Sequence, residues 1–160
     1  MKKGSIISVM TSGAIGAAAG SVAIGTKLKK ELQTTKDKAS KMSSYYHMFN
    51  KWLMIRQEGK SLADFFEENQ YKTIAIYGMK EFGERLLDEL KDSGIAVKYI
   101  IDRNADGIYA DIDVVTPDEE LESVDAIVVT ATFYFDEIEE MLYQKVDCPV
   151  ISLEDVLYEL

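Results

Sequence analysis

Residues 73–83 read TIAIYGMKEFG, and this stretch decides the fold. Its first five residues are β-branched, aromatic or small, which is typical of a short buried strand, and Gly78 follows at once. A run with helical spacing of apolar residues comes next and ends at Ser93 and Gly94, before a second apolar run at 97–101. A strand, a helix and a strand in this order favour parallel pairing with a right-handed crossover. We therefore predict an α/β fold: a small Rossmann-like parallel sheet with helices on both faces.

Further apolar runs extend this pattern towards the C-terminus. Strands are predicted at residues 113–115, 126–130 and 149–152, the first of them a short edge strand. Helices are predicted at residues 135–145 and 153–160. One or two helical turns are also expected from Pro117, because proline is favoured in the first turn of a helix. Together these elements predict one Rossmann-like domain over residues 71–160.

Residues 78–83 occupy the position of a dinucleotide-binding glycine fingerprint. Gly78 and Gly83 stand in its first and third glycine positions, whereas Lys80 replaces the middle glycine that lets the backbone approach a pyrophosphate. The Lys80 ammonium would either crowd a dinucleotide or pair with a phosphate itself. Asp102 ends the second strand, where an acidic residue accepts ribose hydroxyls in NAD-type sites. Its alternative role is that of an ordinary turn residue.

Any ligand is expected where the carboxyl ends of the strands meet the helix starts. The candidate cofactor-binding residues are Gly78, Met79, Lys80, Glu81, Phe82, Gly83, Asp102, Arg103, Asn104, Thr130, Ala131 and Thr132. We predict no catalytic residue and no metal site. The single cysteine, Cys148, and the single histidine, His47, exclude a disulfide within the chain, Cys- or His-based metal clusters and Ser/His/Asp catalysis in the domain. The Tyr-x-x-x-Lys pair of short-chain dehydrogenases does not occur either.

The first 41 residues differ from the rest in composition. Residues 4–26 carry no charge, and as a helix they would measure about 34 Å, enough to cross a bilayer core of about 30 Å. Glycine, serine and threonine make this segment only weakly apolar, so a peripheral helix and a cleaved signal peptide are alternatives to a membrane span. Gly16 and Gly20 form a G-x-x-x-G pair, which indicates a homo-oligomer within the membrane.

Charge is divided unevenly along the chain. Residues 1–60 hold eleven Lys/Arg and three Asp/Glu, a net charge of +8, whereas residues 61–160 hold seven and twenty-five, a net charge of −18. More basic residues follow the uncharged segment than precede it, which predicts a single-pass protein of the inner membrane with its C-terminal domain in the cytoplasm. The acidic domain should repel nucleic acid, so no nucleic-acid partner is expected.

Residues 42–70 are predicted to form a helical linker. One apolar helix face is formed by residues three and four apart, namely Tyr45, Met48, Phe49, Trp52 and Leu53. Ser61 is expected to cap a second, short helix at residues 62–68. Both helices need an apolar surface to pack on, which is either the α/β domain or another copy of the chain.

Four segments together resemble the small Rossmann-like nucleotide-binding domains of bacterial cell-surface polysaccharide biosynthesis clusters. They are IAIYG at 74–78 with Gly83, IDRN at 101–104, DVVTPD at 113–118 and DAIVVT at 125–130. Similar modules occur at the front of sugar acyltransferases and in relatives of nucleotide-sugar epimerases and dehydratases. The resemblance covers about residues 45–160, and it implies NAD(P) or a nucleotide sugar as the ligand.

Three functions follow as hypotheses. The first is a membrane-tethered binding or regulatory module for a nucleotide or nucleotide sugar in cell-envelope polysaccharide biosynthesis. The second is a non-catalytic scaffold or oligomerisation protein with a degenerate Rossmann site. The third is an NAD(P)-dependent oxidoreductase or epimerase-type subunit, for which the missing acid/base residue would come from another chain. The sequence favours the hypotheses in which the protein is not itself an enzyme.

Overall fold

The computed structural model describes the backbone of residues 6–160 and the side chains of residues 25–160. The chain divides into two compact units, Met1–Tyr45 and Tyr46–Leu160. Helix α1 is Ile6–Gln57, so the predicted linker helix is the end of one longer helix. Among the residues that the structure describes, no helix is both long enough and apolar enough to cross a membrane. The predicted span at 4–26 and its G-x-x-x-G pair lie outside the described side chains.

The second unit is built on a five-stranded parallel sheet. Its strands are β1 (Thr73–Tyr77), β2 (Ala96–Ile101), β3 (Val114–Val115), β4 (Ala126–Val129) and β5 (Val150–Ser152). Their order in the sheet is β3-β2-β1-β4-β5, and each neighbouring pair is parallel. This is the strand order of a Rossmann-like sheet. The predicted α/β class and the short edge strand are confirmed.

Four further helices belong to the second unit. They are α2 (Leu62–Glu68), α3 (Glu81–Leu90), α4 (Phe135–Leu142) and α5 (Leu153–Glu159), with short 3₁₀ turns at Ala105–Gly107 and Thr132–Tyr134. Ser61 caps α2 as predicted, because its side-chain oxygen accepts from the Ala63 N–H at 3.2 Å. Ser152 caps α5 in the same way, accepting from the Glu154 N–H at 3.2 Å. Each cap satisfies a donor that the first helical turn leaves unpaired.

Helices cover both faces of the sheet. On one face, Ala75 and Tyr77 of β1 pack with Ile138 and Leu142 of α4. Successive side chains of a strand point to opposite faces, so the fully buried Ile74 points the other way, towards the layer that contains α2, α3 and α5. Parallel sheets are buried on both faces, which explains why β4 is apolar at every position.

The C-terminal end of α1 docks on the α/β domain, which was one of the two surfaces expected for it. Met48, Trp52 and Ile55 are buried within the second unit. The Trp52 indole N–H donates to the Glu89 carboxylate of α3 at 2.6 Å. The same carboxylate accepts from the Ser61 hydroxyl at 2.9 Å and from the Leu62 N–H at 2.8 Å. One side chain of α3 therefore holds the end of α1 and the start of α2.

The helical turns expected from Pro117 are wrong, because residues 117–119 form a turn. The Thr116 N–H and hydroxyl both donate to the Glu119 carboxylate, at 2.7 and 2.9 Å. The chain then continues without helix, and Leu121 packs against the core beneath α4. The bond from the Thr116 N–H to the Glu119 carboxylate is of the kind that starts a helix, but the turn is not continued because Leu121 and Val124 pack into the core as the chain leads into β4.

Candidate functional site

The carboxyl ends of three strands meet at one edge of the sheet. Gly78 follows β1, Asp102 follows β2 and Thr130 follows β4. Strand β1 lies between β2 and β4, so the strand order reverses beside it. Ligands of open α/β sheets bind at such a reversal, outside the carboxyl ends of the strands. The candidate residues from all three loops therefore lie at the edge where a site is expected.

The turn after β1 requires glycine at position 78. Gly78 has a φ of +95°, a conformation that residues with a side chain rarely adopt. A Cβ atom there would lie 2.9 Å from the Thr130 hydroxyl oxygen. That hydroxyl donates to the Gly78 carbonyl oxygen at 2.8 Å and lies 3.1 Å from the Tyr77 carbonyl oxygen. Thr130, which is buried, thus fixes the turn rather than projecting into the crevice.

Gly83 allows α3 to pack directly on this turn. A Cβ atom at position 83 would lie 2.1 Å from the Gly78 carbonyl oxygen, far inside van der Waals contact. The third glycine of a dinucleotide-binding fingerprint has this packing role between helix and strand. Two of the three fingerprint positions therefore have the backbone geometry that the fingerprint needs.

Asp102 joins the loops that follow β1 and β2. One carboxylate oxygen accepts from the Met79 N–H at 2.9 Å, and the other accepts from the Asn104 N–H at 2.9 Å. The bond to Asn104 is the turn role that was the alternative for this residue. A carboxylate has about four acceptor positions, so two remain for a ligand in this half-buried group.

Helix α3 begins at the centre of the candidate site. Lys80 is its N-cap residue and makes no side-chain capping bond. The first N–H groups of a helix have no partner within the helix, and the helix dipole makes this end positive. Lys80 and Glu81 are exposed, and Glu81 and Glu84 place negative charge in the first turn. An anion would gain from the backbone and from Lys80 but would be opposed by the two glutamates.

Two candidate residues contact α1. Phe82 is buried, with its ring stacked on Phe49 at a centroid distance of 4.2 Å. The Thr132 hydroxyl donates to the Met48 sulfur at 3.5 Å, and Met48 is fully buried. The contact of Met48 with the loop after β4 was not predictable, since an apolar helix face does not specify its neighbour. Phe82 and Thr132 therefore lie at the edge of the site that α1 covers.

The remaining candidates surround this centre. Arg103 and Asn104 are exposed, and Ala131 is half-buried beside Gly78. The structure thus brings Gly78, Met79, Gly83, Asp102 and Thr130 together, with Lys80 at the mouth of the site.

An open cleft of about 810 Å³ borders the site at Met79. Its walls are α3 and the loop at residues 107–112. Arg85 and Lys91 each form an ion pair with Asp88, at 3.5 and 2.9 Å. The hydrogen bond from Lys91 lowers the pKa of Asp88 below its usual value. The charged residues that line the cleft sum to one negative charge, since Arg85 and Lys91 stand against Glu84, Asp88 and Asp111.

No family model, no curated protein and no solved structure matches this chain. Across the residues with described side chains, no group of three or more His, Cys, Asp or Glu residues is arranged to hold a metal ion. The geometry of the sheet edge is therefore the basis for assigning a function.

Proposed function

We propose that the α/β unit binds a nucleotide or nucleotide sugar at the carboxyl edge of its sheet and serves as a binding or regulatory module. The observation that carries this proposal is the turn from β1 into α3. Gly78 adopts a positive φ, and Gly83 lies against its carbonyl group without room for a Cβ atom. These features match the backbone roles of the first and third glycines in dinucleotide sites.

Each part of the site has a proposed role in binding. The first N–H groups of α3 and the Lys80 ammonium would bind a phosphate. Asp102 would accept a ribose hydroxyl with its remaining acceptor positions. The cleft beside Met79 has a volume within the usual range for ligand sites, about 300–1,000 Å³, and would hold the base or the sugar.

The proposed cellular setting is the cytoplasmic face of the inner membrane, where the module would serve cell-envelope polysaccharide biosynthesis. The uncharged segment at 4–26, followed by basic residues, supports a tether in this orientation. The resemblance of the four segments described above supports the link to polysaccharide synthesis. A membrane-tethered binding module would report nucleotide-sugar supply to enzymes at the same surface.

A non-catalytic scaffold is the second candidate, and a specific observation favours it. The Asp102 carboxylate already accepts from two backbone N–H groups, and Met48 covers the Thr132 side of the site. Lys80 stands where a binding fingerprint has its middle glycine. If the protein is a scaffold, the glycines of the fingerprint are kept because the fold needs α3 to pack on the turn after β1. Its function is then to recruit partner proteins.

Thermal unfolding of the full chain distinguishes the two candidates. The ligands are NAD, NADP, nucleoside di- and triphosphates, coenzyme A and nucleotide sugars, each tested at millimolar concentration. A ligand at a hundred times its dissociation constant adds about 2.7 kcal/mol, which raises the melting temperature by roughly 10 °C in a domain of this size. We expect such a shift with at least one nucleotide-containing ligand. No shift with any ligand would favour the scaffold.

Two charge reversals test the position of the site. Lys80→Glu should abolish the ligand-induced shift in melting temperature if Lys80 binds a phosphate. Lys98 is an exposed lysine of β2 away from the site, so Lys98→Glu should leave the shift unchanged. Lys80→Gly separates the two roles weighed for this residue. The substitution should weaken binding if the ammonium holds the phosphate, and strengthen it if the side chain only crowds the ligand. Equal losses in the Lys80→Glu and Lys98→Glu variants would argue against the proposed site.

A further inference from the structure

An apolar stripe follows α1 within the first unit. It is formed by Leu28, Leu32, Thr35, Ala39 and Met42, whose spacings alternate between four and three residues. Leu28, Leu32 and Met42 have 64%, 56% and 69% of their surface exposed, which is high for large apolar side chains. Positions that alternate in this way repeat every 3.5 residues, the period of a left-handed coiled coil. The stripe therefore has the spacing of a helix-pairing seam.

The same spacing continues in the sequence at Tyr46, Phe49 and Leu53. Within the second unit, Tyr46 and Leu53 are 67% and 56% exposed. The α1 residues that are buried on the domain occupy other helical positions, namely Met48, Trp52 and Ile55. The seam residue Phe49, however, stacks on Phe82 of α3 at a centroid distance of 4.2 Å, so the domain occupies the seam at that position. The stripe that remains open for pairing is the one in the first unit, from Leu28 to Met42.

One charged pair beside the stripe favours a second copy in the parallel direction. In the heptad register set by Leu28 and Leu32, Glu31 occupies position g and Lys36 the following position e. These positions meet across a parallel two-stranded coiled coil, so Glu31 of each copy would pair with Lys36 of the other. Glu31 lies 3.9 Å from Lys27 in its own helix, but both side chains are largely exposed, so this ion pair contributes little.

The one polar residue in the stripe tolerates burial. The Thr35 hydroxyl donates to the Glu31 carbonyl oxygen of the preceding turn at 2.9 Å. A buried polar group is costly only when it loses its hydrogen bonds. Thr35 would keep this bond inside a helix pair, so it does not exclude the seam from an interface.

We propose that the stripe from Leu28 to Met42 pairs with the same stripe of a second copy of this chain, in a parallel two-stranded coiled coil. An identical partner fits three observations: the apolar seam residues, their heptad period and the complementary pair of Glu31 and Lys36. This surface differs from the G-x-x-x-G pair at Gly16 and Gly20. It requires neither a membrane nor a ligand at the sheet edge.

Charge reversal tests whether the partner is a second copy of the chain. The full chain, in a non-ionic detergent, is examined by sedimentation equilibrium. We expect a dimer, with its dissociation constant raised about tenfold by Glu31→Lys or Lys36→Glu, because each change replaces two attractive contacts per dimer by repulsive ones. The double variant E31K/K36E should recover the wild-type affinity. Asp37→Lys, on the outer face of the helix, is the matched control and should have little effect.

Disulfide trapping tests whether the two helices pair in parallel. Ala39→Cys is placed in a Cys148→Ser background, so that the only thiols are those at the seam. Identical seam positions face each other in a parallel pair, close enough for a disulfide. Mild oxidation should cross-link most of the Ala39→Cys chain but little of the matched Ser40→Cys chain, whose thiol lies off the seam.

Three results would overturn the proposal. They are a monomeric full chain at tens of micromolar, a dimer unaffected by Leu32→Asp, and equal cross-linking at positions 39 and 40. The first two are measured with the helix content checked by circular dichroism, since Leu32 is exposed and its substitution should not unfold the chain. Leu32→Asp should raise the dissociation constant about a hundredfold or more, because two buried leucines are lost per dimer. The double variant G16L/G20L should dimerise with the wild-type affinity.

Discussion

Gly83 is the residue on which the close approach of α3 to the β1 turn depends. Gly83→Ala would place a methyl group 2.1 Å from the Gly78 carbonyl oxygen, so α3 or the turn must move. We expect a loss of about 2–3 kcal/mol in the free energy of unfolding, as for overpacked interiors. Urea denaturation measures it. Gly94→Ala is the control, because its Cβ atom would meet nothing closer than 3.7 Å, and a similar loss there would contradict the explanation.

Asp125 makes the stability of the fold depend on pH in the acid range. Its carboxylate accepts from the Thr73 N–H at 2.8 Å, the Lys72 N–H at 2.8 Å and the Thr73 hydroxyl at 2.9 Å. The Thr73 N–H is the largest cause, and the pKa of Asp125 falls below its ordinary value of 3.8. The pKa of Asp125 is lower in the folded than in the unfolded state. Its contribution to the stability of the fold is therefore present above about pH 4 and is lost as the pH falls through the folded-state pKa.

The matching experiment compares melting temperatures of the wild type and Asp125→Asn across this range. All three bonds end on one carboxylate oxygen, and the neutral oxygen of an amide accepts them more weakly, so the variant should melt lower at about pH 7. The difference should begin to shrink below about pH 4, where the unfolded chain takes up the proton, and should vanish once the pH has fallen through the lower folded-state pKa. A difference that stays constant with pH would show that the carboxylate charge is not involved.

The sequence predicted some residue roles and could not predict others. Gly78 and Gly83 were identifiable because a tight turn and a close helix leave few alternatives to glycine. The role of Asp102 remained open between ligand and turn, since either role needs a carboxylate at the end of a strand. The contacts of Phe82 and Thr132 with α1 were not predictable, because they depend on where a separate helix docks.

At the scale of elements, Glu89 of α3 is the main connection between helices. Its side chain is 11% exposed and accepts from groups of α1 and α2, namely the Trp52 indole, the Ser61 hydroxyl and the Leu62 N–H. Glu89→Gln keeps the shape but brings N–H groups towards these donors. We expect a loss of about 2–3 kcal/mol, because hydrogen bonds to a charged acceptor are strong and the donors would remain buried.

Glu84 provides a control on the same helix. Its carboxylate pairs with Arg85 at 3.3 Å, and both side chains are more than half exposed. Exposed pairs contribute little, so Glu84→Gln should change the free energy of unfolding by less than about 0.5 kcal/mol in chemical denaturation. Equal losses for the two glutamates would contradict the role given to Glu89.

Most elements were predictable because strands and helices leave periodic patterns of apolar residues. The four principal strands, the edge strand and the helices after β1, β4 and β5 were all predicted close to their observed positions. The turn at residues 117–119 was not, since a proline in a first turn does not reveal that the chain beyond it must extend to bury Leu121 and Val124. The sequence also did not show that α1 continues unbroken from the first unit to Gln57.

At the scale of the whole molecule, the two proposals concern different surfaces and fail independently. A ligand shift lost in Lys80→Glu but kept in Glu31→Lys, together with a dimer weakened only by Glu31→Lys, assigns binding to the sheet edge and dimerisation to α1. A parallel dimer would also bring the uncharged segments of both chains to the same end of the helix pair. That arrangement is compatible with two tethers entering one membrane, whereas an antiparallel pair would separate them.

The central position of β1 has a consequence for synthesis on the ribosome. One neighbour of β1 is β4, and the bonded residues Thr73 and Asp125 are 52 positions apart. At about 5–20 residues per second, β1 is made several seconds before that neighbour. Until then one edge of β1 has no strand to pair with. The seam of α1 is already complete by then, so two nascent chains on one messenger RNA could pair before either sheet has formed.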